Sequence, residues 1–496
     1  MLIDVDGFPE KKSHAFILAI QHVLAMFVAC ITVPLLVFSN SPYRDAAGNV
    51  LPYLTASGEP LLNSLIPPTL IAAGIGTIFY LLVTKMKSPM FLASSFAYIA
   101  PMAAAIALGA DQAPVLNEAG VQIGVMANLW ILPIGMGMVG VVYCLVALLI
   151  KLFGVNWLNK LLPPIVVGPV IMVIGLGLAG SAISNLTSAS GSGQGYNLIA
   201  ILCGVIAMGA TAVAAHYGKG TIALVPFIIG MASGYVAAAL FTAIGYYGAG
   251  NDYFHIVNFS SIVNTFSPIR FTSFLDYPKF VFLLGNSSAG LTGQDIGQAA
   301  ALFIPVSLVT ICEHIGDHEN MSGILDRNLL EEPGLSRTLI GDGVATALSG
   351  ALCGAANTTY GENVAVVGVT KVASTKVIFM AGCITILLGF LSPLMAVTMT
   401  IPACVTGGVS LILYGFIAAS GVKLLLARHI DMGKTRNIFI ASVILVTGIG
   451  GLVISFVVGN ATISVTSTAM AMIMGILMNL LLREKKEEPK EGEAAE

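Results

Sequence analysis

The chain has 496 residues, of which 56% are hydrophobic and 9% charged, with a net charge of -3 and a mean hydropathy of +0.91. A soluble domain carries about a quarter charged residues, so lipid is the solvent for most of this chain, and the few scattered basic residues exclude a nucleic-acid surface. The seven cysteines fall in apolar stretches with no disulfide or metal spacing, so no metal and no cofactor is expected.

Taken in chain order, residues 1–15 form a polar N-terminal segment with no charged-apolar-cleavage pattern, expected to be cytoplasmic. A transmembrane helix needs about 20 apolar residues. Apolar runs between breaks give fourteen candidate spans, at 16–38, 62–83, 89–108, 123–150, 163–183, 197–217, 221–247, 299–316, 338–354, 356–372, 377–397, 401–426, 437–456 and 463–482. Between the seventh and eighth lies an external loop, 251–298, and after the last a charged, solvated tail, 483–496. With the N-terminus inside, only Arg44, Arg270 and Lys279 of the 22 Lys and Arg fall outside, which places both ends in the cytoplasm. His318, Glu319, Asp326 and Arg337 are expected in a cytoplasmic loop.

Three matches link the first seven spans to the last seven: Gln21-His22 with Glu313-His314, Ser94-Ser95-Phe96 with Thr358-Thr359-Tyr360, and Pro163, Val166, Gly168, Val170 with Pro402, Val405, Gly407, Val409. Seven being odd, the second copy enters the membrane upside down. The expected fold is thus an all-α polytopic membrane protein of 14 transmembrane segments in a 7+7 inverted repeat, an architecture of secondary transporters that bind substrate at the midplane between broken helices. Spans three and ten are the broken pair. Met90 to Tyr98 and Ala356 to Gly361 have the β-branched, hydroxyl and aromatic content of short antiparallel strands.

A charge at the bilayer centre costs about 2.5 to 3.5 kcal/mol even on permissive scales, so an intramembrane carboxylate marks function. Glu313 and Glu362 stand out. Glu362 follows Tyr360-Gly361 where a half-helix begins, so free backbone N–H groups and a carboxylate acceptor lie together, a pattern suited to a neutral planar amide heterocycle. Phe96 and Tyr360 can cover its faces or edges. Asp317, one turn after Glu313, shares its helix face and can carry a proton, with His22 and His314 as relays or supports. No nucleophile motif or cofactor fingerprint suggests an enzyme.

These stretches, Gln21 to Phe27, Leu92 to Ala97, Glu313 to Gly316, Glu332 to Leu335 and above all Asn357-Thr358-Thr359-Tyr360-Gly361-Glu362-Asn363, resemble the nucleobase/ascorbate transporter family, also called nucleobase–cation symporters, in its bacterial uracil permease branch. The resemblance implies a core domain (16–150 with 299–397) moving in an elevator-like way against a gate domain (151–250 with 398–482), proton-coupled uracil import across the cell membrane, and gate-mediated dimers. It implies uracil contacts at Phe96, Glu313, Tyr360, Gly361 and Glu362, with His22, His314, Asp317 and Asn363 in proton coupling or site support. Sodium is the other coupling ion that the hydroxyl-rich spans three and ten can hold. Two positions depart from the family pattern. Ala365 stands where glycine is usual, its methyl expected to tighten helix packing, and Asp317 replaces a histidine. The alternatives are a purine or xanthine permease on the same scaffold and an anion transporter of shared fold, the latter disfavoured by two carboxylates.

Overall fold

The structure is a computed structural model that describes residues 3–39, 41–45, 51–58, 60–110, 113–187, 196–278, 280, 289–458 and 461–482. The first part of the chain folds into α1 (Lys12–Ser39), α2 (Leu62–Val83), strand β1 (Leu92–Ser94), α3 (Ile99–Ile106), a β2–β3 hairpin (Pro114–Leu116 and Gln122–Val125), α4 (Ile131–Phe153) and α5 (Asn156–Leu161). Then follow α6 (Pro164–Gly177), α7 (Ala179–Leu186), α8 (Leu198–Tyr217), α9 (Thr221–Leu224), α10 (Pro226–Phe241) and α11 (Ser260–Phe266). The remainder contains α12 (Gly293–Leu325), α13 (Leu335–Ala351), β4 (Asn357–Thr359), α14 (Gly361–Thr370), α15 (Thr375–Leu388), α16 (Ser392–Thr398) and α17 (Ala403–Ala427). It closes with α18 (Thr435–Ile449), a β5–β6 hairpin (Ile454–Val458 and Ala461–Val465) and α19 (Ser467–Leu481).

Among the described residues eight helical stretches are long and apolar enough to cross a bilayer, and four shorter apolar helices accompany them. A helix rises 1.5 Å per residue, so the 15 residues of α18 or α19 reach only part of the way across a hydrocarbon core about 30 Å thick. The protein is therefore a mostly helical, multi-pass membrane protein in which several crossings are not single unbroken helices.

The helices pack in two groups. In one, α4 lies against α13 and α12, α2 against α13 and α15, and α1 against α2 and α15; in the other, α8 lies against α10 and α17, and α6 against α17 and α18. Small residues set these approaches, as membrane helices have no hydrophobic drive toward one another and rely on close packing. A Cβ on Gly140 would stand 2.9 Å from the Gly343 carbonyl between α4 and α13, and one on Gly408 2.0 Å from the Gly204 carbonyl between α17 and α8. Pro163 and Pro402, matched in the sequence repeat, occupy the same local position: each is the extended residue that caps the start of its helix, α6 and α17. There the missing N–H costs nothing.

Several expected boundaries are corrected. Residues Gln122–Val125 of the fourth span form a strand and its helix begins at Ile131, because the β-branched alternation before it pairs with Pro114–Leu116. The eighth span, expected at 299–316, extends over 33 residues, starting within the expected external loop. A capping box starts it, with Thr292 N donating to Asp295 Oδ2 at 2.8 Å, and left-handed Asp326 ends it. His318 and Glu319 are thereby helical rather than loop. The thirteenth and fourteenth spans give up residues 454–456 and 463–465 to the β5–β6 hairpin. The tail from 483 and Lys279 lie outside the described residues.

Candidate functional site

The two extended segments expected from composition meet each other. β1 and β4 pair antiparallel, Leu92 with Thr359, Ala93 with Thr358 and Ser94 with Asn357. Ser95 N donates to Ala356 O at 2.8 Å and Tyr360 N to Phe91 O at 3.1 Å, extending the ladder at both ends. Side chains of neighbouring helices close the rest: Leu92 N donates to Thr77 Oγ1 at 3.0 Å, Ala355 N to Thr69 Oγ1 at 3.0 Å, Asn357 Nδ2 to Ala72 O at 3.0 Å and Thr346 Oγ1 to Asn357 O at 2.7 Å. Irregular backbone at membrane depth survives only where protein satisfies it in this way. Exchanging Ser94 with Thr358 and Ala93 with Asn357, as the sequence repeat requires, maps one strand pair onto the other, so the register itself is symmetric.

From this crossing the chain turns into α14, whose first residues are Gly361 and Glu362 and whose cap residue, Tyr360, contributes no side-chain bond to the free N–H groups. α12 runs alongside. Thr359 Oγ1 donates to Asp317 Oδ2 at 2.9 Å, and a Cβ built on Gly361 would stand 3.2 Å from Asp317 Oδ1. Glu313 lies one helical turn before Asp317 on α12, and Glu362 is the second residue of α14, the helix packed beside it. Asn363 Nδ2 donates to His22 Nδ1 and to His22 O, both at 3.0 Å, which leaves the ring proton of His22 on Nε2. The buried oxygens Ser95 Oγ, Thr358 Oγ1 and Asn363 Oδ1 make no hydrogen bond to the described residues.

Phe96 lies edge to face with Tyr414 of α17 at 6.5 Å, which brings the second helix group to the crossing. His314 points away from Glu313: its Nδ1 lies 2.8 Å from Asp342 Oδ2 and its Nε2 3.0 Å from Thr338 Oγ1, all fully buried. Ala365 is exposed, so its methyl tightens no packed interface.

Beyond His314 the polar chain continues. His318 Nδ1 donates to His314 O at 2.7 Å, so its Nε2 must accept, and Tyr80 O–H donates to it at 2.6 Å. Ser88 Oγ lies 2.8 Å from the Tyr80 oxygen. The two imidazoles stack at 4.1 Å. Asp342 was legible as a further intramembrane acid, flanked by Gly341 and Gly343, by the same reasoning that marked Glu313. Tyr414 had no such signal; tyrosine in an apolar helix is common.

A carboxylate-lined crossing of two half-helices inside a multi-pass helical bundle defines a membrane transporter. The chain matches the family model described as Permease family (Xan_ur_permease) over residues 13–457. It is 36% identical over 465 residues to a uracil permease of Bacillus caldolyticus, covering 94% of this chain and 91% of the relative, and 35% identical over 472 residues to a uracil permease of Bacillus subtilis (strain 168), covering 95% and 93%. Among solved structures it is similar to murine Solute Carrier 26 family member A9, an anion transporter, with a TM-score of 0.59, 10% identity, and 96% and 68% of the two chains covered, a likeness of fold alone. The chain belongs to the Permease family.

Proposed function

We propose that the protein imports uracil into the cell by proton symport, its substrate held at the strand crossing. The observation that carries this reading is the uncapped start of α14, with Glu362 as its second residue, set against the acidic face of α12 where Thr359 Oγ1 donates to Asp317 Oδ2. Uracil is planar, with two ring N–H groups and two carbonyls. The carboxylates accept the N–H groups, the first backbone N–H groups of α14 donate to a carbonyl, and Phe96 and Tyr360 pack on the ring. Asp317, tied to Thr359 and pressed against Gly361, is the group whose protonation senses occupancy. His22 and Asn363 brace the site, and His314 with Asp342 supports it from behind α12. The uracil permease relatives support the substrate; the two carboxylates, which repel negative charge, speak against an anion, despite the shared fold.

The symmetric β1–β4 register and the paired Pro163 and Pro402 helix starts support fourteen segments in two inverted sevens with both termini cytoplasmic. The group containing α1–α4 and α12–α15 is the core, the group containing α6–α10 and α17–α19 the gate. Transport moves the core along the gate, with Tyr414 as the gate's contact to the site. The experiment is radiolabelled uracil uptake into proteoliposomes with and without an inward proton gradient. Uptake driven by the gradient, competed by excess uracil but not by xanthine or adenine, and lost in Glu362→Gln is the expected result. Equal uptake by Glu313→Ala and Glu362→Ala together overturns the assignment, and competition by xanthine moves the substrate to a purine.

A further inference from the structure

At the end of α4 and the start of α13, well apart from the strand crossing, lies a cavity of about 680 Å³ whose lining includes two cations, Lys151 and Arg337, on an otherwise mostly apolar wall. Neither cation makes an ion pair or hydrogen bond with a described side chain. No acid among the described residues lines the cavity, and of the two glutamates just before Pro333 in the chain Glu332 is paired with Lys87. α13 opens toward it with Gly334 as cap residue and no side chain on its first N–H groups, which adds to the positive field. Ile150 and Lys151 of the lining belong to the end of α4, and Leu148, one turn before Lys151, belongs to an exposed apolar stripe that runs back along that helix. Val141, Leu145, Leu148 and Leu152, three or four residues apart along that face, are all more than half exposed, the signature of a surface in contact with acyl chains.

We propose that this cavity binds the phosphate headgroup of an anionic phospholipid, with Lys151 and Arg337 as its ligands and the acyl chains along the Val141 to Leu152 stripe. The chemistry is that of a basic pocket at the rim of a membrane domain beside an apolar track. A free phosphate ion has the same headgroup chemistry but no use for the track. A lipid uses both. Because Ser336 Oγ donates to Ala147 O at 3.0 Å across the same junction, an occupant here clamps α4 to α13, the pair that frames the back of the buried His314–Asp342 network.

The test uses the purified full chain in a neutral detergent, titrated with dioleoylphosphatidylglycerol, dioleoylphosphatidylcholine or inorganic phosphate and read by native mass spectrometry and thermal unfolding. Phosphatidylglycerol is expected to bind in preference to phosphatidylcholine and to raise the unfolding temperature, with inorganic phosphate without effect. Each of Lys151→Gln and Arg337→Gln should weaken that preference roughly fivefold, while Lys423→Gln, a cation on the other helix group, leaves it unchanged. Equal binding of the two lipids, or an unfolding shift produced by inorganic phosphate alone, overturns the proposal. So does a preference that survives in the Lys151→Gln/Arg337→Gln double variant. Should that variant not fold, the wild-type comparison of the two lipids still decides.

Discussion

The two faces of α12 each carry a pair of titratable side chains one turn apart and treat them in opposite ways. On one face Glu313 and Asp317 are half-buried, with Asp317 taking a single hydrogen bond from Thr359 and Gly361 close by. On the other, His314 and His318 are fully buried, with both ring nitrogens of each engaged by Asp342, Thr338, Tyr80 and the helix backbone. Polar groups in a membrane interior are expensive either way. Whether such a group is structural or functional is decided by whether its partners are already inside the protein, and the difference is set by one residue of helical offset, about 100° of rotation.

Four sets of substitutions test this contrast. The largest effect on stability is expected on the closed face: Asp342→Ala leaves His314 with an unmatched buried donor and should cost about 1–3 kcal/mol, read as a fall in unfolding temperature in detergent. Uracil should restore little of it. On the open face, Glu313→Gln or Glu362→Gln should leave unfolding near wild type while uracil binding weakens by about 1.5–3 kcal/mol, roughly 10- to 150-fold in Kd, measured by calorimetry. If the glutamates unfold the protein and Asp342→Ala does not, the two faces have been assigned the wrong way round. Tyr80→Phe removes only the hydroxyl that donates to His318 Nε2, and about 1 kcal/mol of stability should go with it, uptake remaining within a few-fold. Last comes the surface. The Lys87 ammonium beside Glu332 holds that carboxyl below its usual range. A depressed carboxylate contributes while ionised, so its small effect is complete at neutral pH and fades as pH falls through the folded value. Comparing wild type with Lys87→Ala should show a difference in unfolding temperature at neutral pH that vanishes in acid, and no difference in uptake.

What the sequence disclosed follows the same division. The strand segments were legible because β-branched and hydroxyl residues crowd Asn357–Thr359 inside an otherwise apolar stretch, and the carboxylates because charge in a lipid-solvated run is rare. His318 was misread as loop because Glu-Asn-Met-Ser-Gly looks like a helix end on hydropathy alone. The buried bonds of His318 to Tyr80 and to the His314 carbonyl carry the helix through it. Asp342 was passed over among glycines and threonines that lower the hydropathy around it. The β2–β3 and β5–β6 hairpins, short and apolar, are indistinguishable by composition from the ends of spans. Tyr414 reaches Phe96 only through the packing of α17, a tertiary relation that no local pattern encodes.

The crossing of β1 and β4 is held by main-chain bonds and by threonines and asparagine from α2, α13 and β4, none of them the side chains at 96 and 360, which the proposed function puts on the ring. Anchorage and display thereby rest on different side chains. On that reading a change of cargo asks for new side chains of similar bulk at 96, 313 and 360 and no new scaffold.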